Sequence, residues 1–188
     1  MKREISDRDV LKNFCEKFCA VLEKHCRYVV ISGYVAIASG RSRGTEDIDI
    51  LIEKMDREKF TEINSELYAE GFVCMQTDSA DEMYDNYLKD KINIRYIFDS
   101  EPLPEIELGI VKDTLDELTL SLRKKIPFTK HDVWFSDINL NIAFKEEYLG
   151  TEKDLEDAKH LRTVFGDSID DNEIARLKNI IRKERMDD

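Results

Sequence analysis

Between Tyr28 and Ile52 the chain reads Tyr-Val-Val-Ile-Ser-Gly-Tyr-Val-Ala-Ile-Ala-Ser-Gly-Arg-Ser-Arg-Gly-Thr-Glu-Asp-Ile-Asp-Ile-Leu-Ile, and this stretch limits the fold more than any other. The β-branched run Tyr28 to Ser32 predicts a short strand, Gly33 to Ser39 a brief helix closed by Gly40, and Ile48 to Glu53 a second strand. Residues two apart on a strand point the same way, so Asp47 and Asp49 stand side by side while Ile48 and Ile50 enter the core. Two adjacent carboxylates are hard-oxygen ligands suited to Mg²⁺ or Mn²⁺, an ion that completes its shell with water and substrate phosphates. Ser32 and Gly33 precede a helix whose first amides are unpaired, and the missing Cβ of Gly33 allows an anion close to the backbone. A phosphate cradle beside a metal-binding pair points to chemistry on a phosphorylated substrate.

The rest of the chain fits one α/β body. The 188 residues suffice for one domain with a short appendage, and 41% hydrophobic against 37% charged residues gives a real core under a very charged surface. The net charge of -12 opposes non-specific binding to DNA or RNA. Apolar runs are far shorter than the roughly 20 residues of a membrane span, and the N-terminus reads as a charged helix without an export segment, so a cytoplasmic location is the expectation.

A first helix is expected from a cap at Ser6, boxed by Asp9, to about Lys24. Cys15, Cys19 and Cys26 share its apolar face with Leu11, Phe18 and Leu22; with Cys74 they read as small buried hydrophobes and not as a metal cluster. A helix follows at Asp56 to Glu70, stopped by Gly71, and a strand at Phe72 to Met75. The acidic segment Gln76 to Lys89 reads as a loop or hairpin, and Lys91 to Phe98 as a strand with Asn93, Arg95 and Ile97 on one face. Pro102 and Pro104 punctuate a link, and Leu115 to Leu122 fits either a strand or a helix. Helices are expected at about 136 to 149, 151 to 165 and 170 to 185. The organisation is an α/β domain over 1–130 with a helical extension over 131–188 packed on it. His25, His131 and His160 are isolated from one another and read as structural, and Trp134 as packing.

The pattern Ser32-Gly33, short helix, then Arg43-Gly-Thr-Glu-Asp-Ile-Asp49 resembles the nucleotidyltransferase superfamily of the DNA polymerase β type, near its AbiEii-like and minimal nucleotidyltransferase members. The segment Phe144 to Leu161 resembles the lysine helix and Lys-Asp-x-x-Asp helix of that group, with Lys145, Lys153, Asp154 and Asp157 at the matching positions. The resemblance implies an α/β (α+β) fold, a mixed sheet flanked by helices. It implies Mg²⁺- or Mn²⁺-dependent transfer of a nucleoside monophosphate from a nucleoside triphosphate to a hydroxyl of a protein or RNA acceptor. Asp47 and Asp49 would hold the metal; Ser32, Gly33, Arg41, Arg43, Thr45, Lys145, Lys153, Asp154 and Asp157 would bind the nucleotide.

Family members place a third carboxylate on a later strand facing the first two. The strand that fits best here offers Asn93, which can ligate a metal weakly but cannot accept a proton as a general base. This departure keeps open a second reading, a catalytically degenerate module that binds a nucleotide or a protein. A homodimer or a toxin–antitoxin partner is a further expectation of the resemblance.

Overall fold

A computed structural model of the chain describes residues 7–45, 47–99 and 101–187. Its centre is a seven-stranded mixed sheet in the order β3-β4-β5-β2-β1-β7-β6. The strands are β1 (Tyr28–Val30), β2 (Asp47–Ile52), β3 (Phe72–Cys74), β4 (Ile94–Phe98), β5 (Glu101–Ile110), β6 (Lys124–Lys125) and β7 (Trp134–Phe135). Helices α1 (Asp7–His25), α2 (Gly33–Ala38), α3 (Arg57–Ala69), α4 (Ala80–Asn86), α5 (Thr114–Ser121), α6 (Ile138–Phe144), α7 (Glu152–Phe165) and α8 (Asp171–Asp187) flank it. None of the described helices is long and apolar enough to cross a membrane.

Alternation along β2 decides the layout. Ile48, Ile50 and Ile52 bury into the main core with Phe14 and Phe18 of α1 and Phe60 and Ile63 of α3. Leu51, on the opposite face, joins Val29, Val111 and Leu120 in a small second cluster under α5. Asp47 and Asp49 share the face of Leu51. α5 lies over part of that face, and its Asp116 and Thr119 line the same cleft as Asp49.

Cys15, Cys19 and Cys74 are buried and Cys26 half-buried, all as free thiols, because the apolar face of α1 carries them into the core. The expected cap at Ser6 lies outside the described residues. Asp56 caps α3 through its carboxylate on the Lys59 amide at 2.9 Å.

Three expectations are corrected. Gln76 to Lys89 contains α4 and a 3₁₀ turn at Leu88–Asp90 rather than a loop; Ser79 Oγ accepts from the Glu82 amide, and Met83 and Leu88 bury. β4 starts at Ile94, and Ile92 is exposed outside it. The segment with Pro102 and Pro104 is the first part of the ten-residue β5 rather than a link. Its pairing with β2 begins at Glu105, and its pairing with β4 shifts between Phe98↔Glu101 and Tyr96↔Ile106. The prolines fall in that irregular gap, so their missing N–H groups cost no ladder hydrogen bond. Leu115 to Leu122, left open between strand and helix, forms α5, capped by Asp113.

Candidate active site

The site grows from the parallel pairing of β2 and β5. Asp47 pairs with Glu105 and Asp49 with Glu107, which sets four acids in two adjacent rows on one face of the sheet. Two further acids thus come to the face of Asp47 and Asp49 from β5, one strand past the segment that carries Asn93. Asn93 Nδ2 donates to Glu107 Oε1 at 2.8 Å and Arg95 Nη2 to Glu107 Oε2 at 3.2 Å. The Asn93 amide also lies across Gly109, where a Cβ would stand 2.6 Å from Asn93 Oδ1. Asn93 thus borders the site as a neighbour of Glu107.

Asp49 carries the electrostatic signature of the site. Burial, then the charges of Asp47 and Glu107, push its carboxyl up to about 6, against a hydrogen bond from Ser32 and the charge of Lys145. A carboxylate desolvated among like charges favours either a proton or a cation. Asp47 is exposed and is held by Thr45, whose Oγ1 donates to its Oδ1 at 2.8 Å. Among the described residues no three His, Cys, Asp or Glu side chains already form a metal-holding group. Asp47 and Asp49 fit an ion that takes one or two protein carboxylates and fills its shell with water and phosphate, while both oxygens of Glu107 are engaged by Asn93 and Arg95.

Ser32, between β1 and α2, has φ 61° and ψ −136°, a conformation that costs a non-glycine residue about 1–3 kcal/mol. This turn aims its hydroxyl at Asp49. The space over Gly33 is not open to an anion as expected: a Cβ there would lie 2.0 Å from Arg43 Nη2. The glycine admits a guanidinium to the turn, which brings positive charge to the same place.

The cations are fixed from the C-terminal helices. Asp157 on α7 is fully buried; Arg43 Nε and Nη2 donate to its two oxygens at 3.1 Å each, and Lys145 Nζ donates to Oδ2 at 3.0 Å. Arg41 Nε lies 2.6 Å from Asp157 Oδ1 as an ion pair, and Arg41 Nη2 donates to Glu156 at 2.6 Å. Lys145, 1% exposed, also donates to Asp154 Oδ1 at 3.3 Å. The structure thus brings Arg41, Arg43, Lys145, Asp154 and Asp157 into one network in which Asp157 faces cations. Lys153 is exposed on the first turn of α7, apart from this network. The first turn of α7 also closes on itself, the Asp154 amide donating to Thr151 Oγ1 at 3.2 Å.

Beside Asp49 and Ser32 opens a cleft of about 260 Å³. Leu140 and Phe144 of α6, with Tyr148 and Leu149 of the following turn, supply apolar wall; Asp116, Thr119, Ser136 and Asn141 supply polar groups. Residues 145–149 form a single π-helical turn between α6 and Gly150. Of the lining residues only Ser32, Asp49 and Lys145 stood out in the sequence. The signal of the others is tertiary, because only the fold brings α5 and α6 to one cleft.

No family model and no curated protein matches the chain. Among solved structures it is similar to the antibiotic-resistance factor ANT(2'')-Ia in solution, at 14% identity over 94% of both chains with a TM-score of 0.57. It is also similar to an antigenic nucleotidyltransferase-like protein from Paracoccidioides brasiliensis, at 16% identity over 95% of this chain and 90% of that one, TM-score 0.55. The fold is a nucleotidyltransferase fold. At these identities the likeness is one of architecture, and the chemistry rests on the residues described above.

Proposed function

We propose that the cleft transfers a nucleoside monophosphate from a nucleoside triphosphate to a hydroxyl of a protein or RNA acceptor. The observation that carries this reading is the register that sets Glu107 beside Asp49, next to a cleft with apolar walls. The nucleoside enters the cleft between α5 and α6. Arg43 over the Gly33 turn and Lys145 face the phosphate chain and offset the charge that grows there. Asp47 and Asp49 would hold a divalent cation, Mg²⁺ or Mn²⁺, which when bound would supply Lewis acidity. The acceptor hydroxyl oxygen attacks the α-phosphorus, the bond to the bridging oxygen breaks and pyrophosphate leaves. Glu107 takes the hydroxyl proton, a role that the neutral amide of Asn93 cannot fill.

Asp154 and Asp157 act in this reading by fixing Arg41, Arg43 and Lys145. Thr45 acts by fixing Asp47. The alternative of a degenerate, non-catalytic module rests on Asn93 standing where a third acid is expected; Glu107 beside Asp49 favours the catalytic reading over it. The narrower grouping with AbiEii-like and minimal nucleotidyltransferases rests on the segments Arg43 to Asp49 and Lys145 to Asp157 alone.

The test is incubation of the protein with Mg²⁺, the four α-labelled triphosphates and a fractionated cell extract, with the Asp47→Asn/Asp49→Asn double variant as control. Label transferred by the native chain alone supports the reading. Equal labelling by the double variant overturns it.

A further inference from the structure

Tyr148 and Leu149 are 46% and 43% exposed, so a ligand can reach both, and they line one cleft with Phe144, Ser32, Asp49 and Lys145. They stand on the π-helical turn Lys145–Leu149, closed where the Gly150 amide donates to the Lys145 carbonyl at 3.0 Å. Single π turns are rare and recur at functional sites.

Residues 145 to 148 of this turn are each gripped from α7 or α8. Asp154 and Asp157 of α7 hold Lys145. Arg162 of α7 donates through Nε and Nη2 to the two oxygens of Glu146 at 2.8 and 3.2 Å, and Lys178 of α8 pairs with Glu146 Oε2 at 2.6 Å. Arg182 of α8 donates to both oxygens of Glu147 at 2.6 and 2.7 Å, a two-pronged geometry that fixes the carboxylate in one orientation. Arg185, three residues further along α8, donates to the Glu147 carbonyl at 3.4 Å and sets its guanidinium 4.9 Å from the centre of the Tyr148 ring. Phe144 meets the same ring edge to face at 5.9 Å. Among the described residues none from α8 lines the cleft itself, so its cations act on the wall through the turn.

Resting on the nucleotidyl-transfer reading, we infer that the nucleobase stacks on Tyr148 and that Arg185 is a positioning residue that holds this ring from α8. A cation over one face of the ring leaves the other face to a base. An aromatic platform meets the π-face that every base has, so it adds affinity without choosing among bases. Arg43 and Lys145 serve the phosphate chain, and the ring therefore contributes to the nucleoside half of the ligand alone.

The experiment is equilibrium binding of ATP, GTP, CTP and UTP, and of inorganic tripolyphosphate, which lacks the nucleoside, to the full chain with Mg²⁺ and no acceptor. Tyr148→Ala should weaken all four nucleotides about 5- to 100-fold and leave tripolyphosphate within about twofold of native. Tyr148→Phe keeps the ring and should bind the nucleotides as the native chain does. Arg185→Met should weaken the nucleotides about 2- to 5-fold and add nothing once Tyr148→Ala is present, while Arg185→Lys, which keeps a cation, should retain most of the native affinity. Unchanged nucleotide affinity in Tyr148→Ala overturns the stacking role. Equal losses for nucleotide and tripolyphosphate overturn it too, because they show that the turn has shifted together with Lys145. Arg185→Met acting by the same factor with and without Tyr148 overturns the positioning role. In these three outcomes nucleotide binding itself stands, whereas no nucleotide bound by the native chain overturns both this inference and the reading under it. Tyr148→Leu, which keeps an apolar wall without a ring, decides the same question where the alanine variant does not fold.

Discussion

Asp49 and Glu107 are register partners on the parallel strands β2 and β5, and each lies within the electrostatic reach of the other. The strand ladder, and not a loop, sets their separation, so the like-charge repulsion between them is built into the sheet. Burial, then the charge of Asp47 and then that of Glu107 push the Asp49 carboxyl up to about 6.

Asp49→Asn should therefore stabilise the metal-free protein while abolishing transfer. The folded state binds the Asp49 proton more tightly than the unfolded state does, so ionised Asp49 weakens the native chain above about pH 6 and not below about pH 4. At pH 7 the variant should melt roughly 2–8 °C higher, and the gap should close as pH falls from 6 to 4. Melting curves across that range check it, and a variant less stable at pH 7 contradicts the account. Added Mg²⁺ should raise the native melting temperature and leave that of Asp47→Asn/Asp49→Asn unmoved.

Glu107→Gln keeps the size of the side chain and removes its ability to take a proton. Transfer should fall about 10²- to 10⁴-fold, with triphosphate affinity within about threefold of native. Single-turnover rates measured beside dissociation constants separate the two. An unchanged rate would leave Glu107 as a bystander.

Asp157→Ala strips three cations of their shared buried partner. The expected cost is about 3–5 kcal/mol, seen as a urea midpoint shift and a melting temperature roughly 6–20 °C lower. Adding Arg43→Met to the variant should return part of that loss, since one stranded charge goes with it. A double variant less stable than Asp157→Ala by the full cost of Arg43→Met alone would show that the two residues are not coupled.

Ser32→Gly should relieve the left-handed backbone and raise stability by up to about 1 kcal/mol, less whatever the lost hydrogen bond to Asp49 contributes. Transfer should still fall, because the hydroxyl that opposes protonation of Asp49 is gone. Ser32→Ala keeps the strain and loses the same hydroxyl, so it should lose transfer without the gain in stability.

How much of this was legible in the sequence depended on whether a signal was local. Asp47 and Asp49, Ser32 and the brief helix at Gly33 follow from period-two alternation and a turn within 25 residues. The helices of the C-terminal third follow from apolar spacing and from Gly150 and Gly166. Glu107 was hidden because Pro102 and Pro104 mark a link in ordinary strand grammar. Only the irregular pairing of β4 with β5 shows that they are tolerated. At Gly33 the missing Cβ is local but the group that approaches is a long-range fact: it is the Arg43 guanidinium, ten residues on and held by Asp157, and not an anion. α4 was missed because an acidic surface outweighed the two buried positions, Met83 and Leu88, that anchor it.

The shared burial of Asp157 by Arg41, Arg43 and Lys145 ties positions far apart in the chain into one unit of inheritance. A descendant that replaces the acid must shed or re-pair all three cations, and one that loses a cation leaves the acid over-neutralised by less. Change at these four positions is therefore expected to come in sets, with the loop after α2 and the helix α7 drifting together while the exposed Lys153 on the first turn of α7 is left to vary alone.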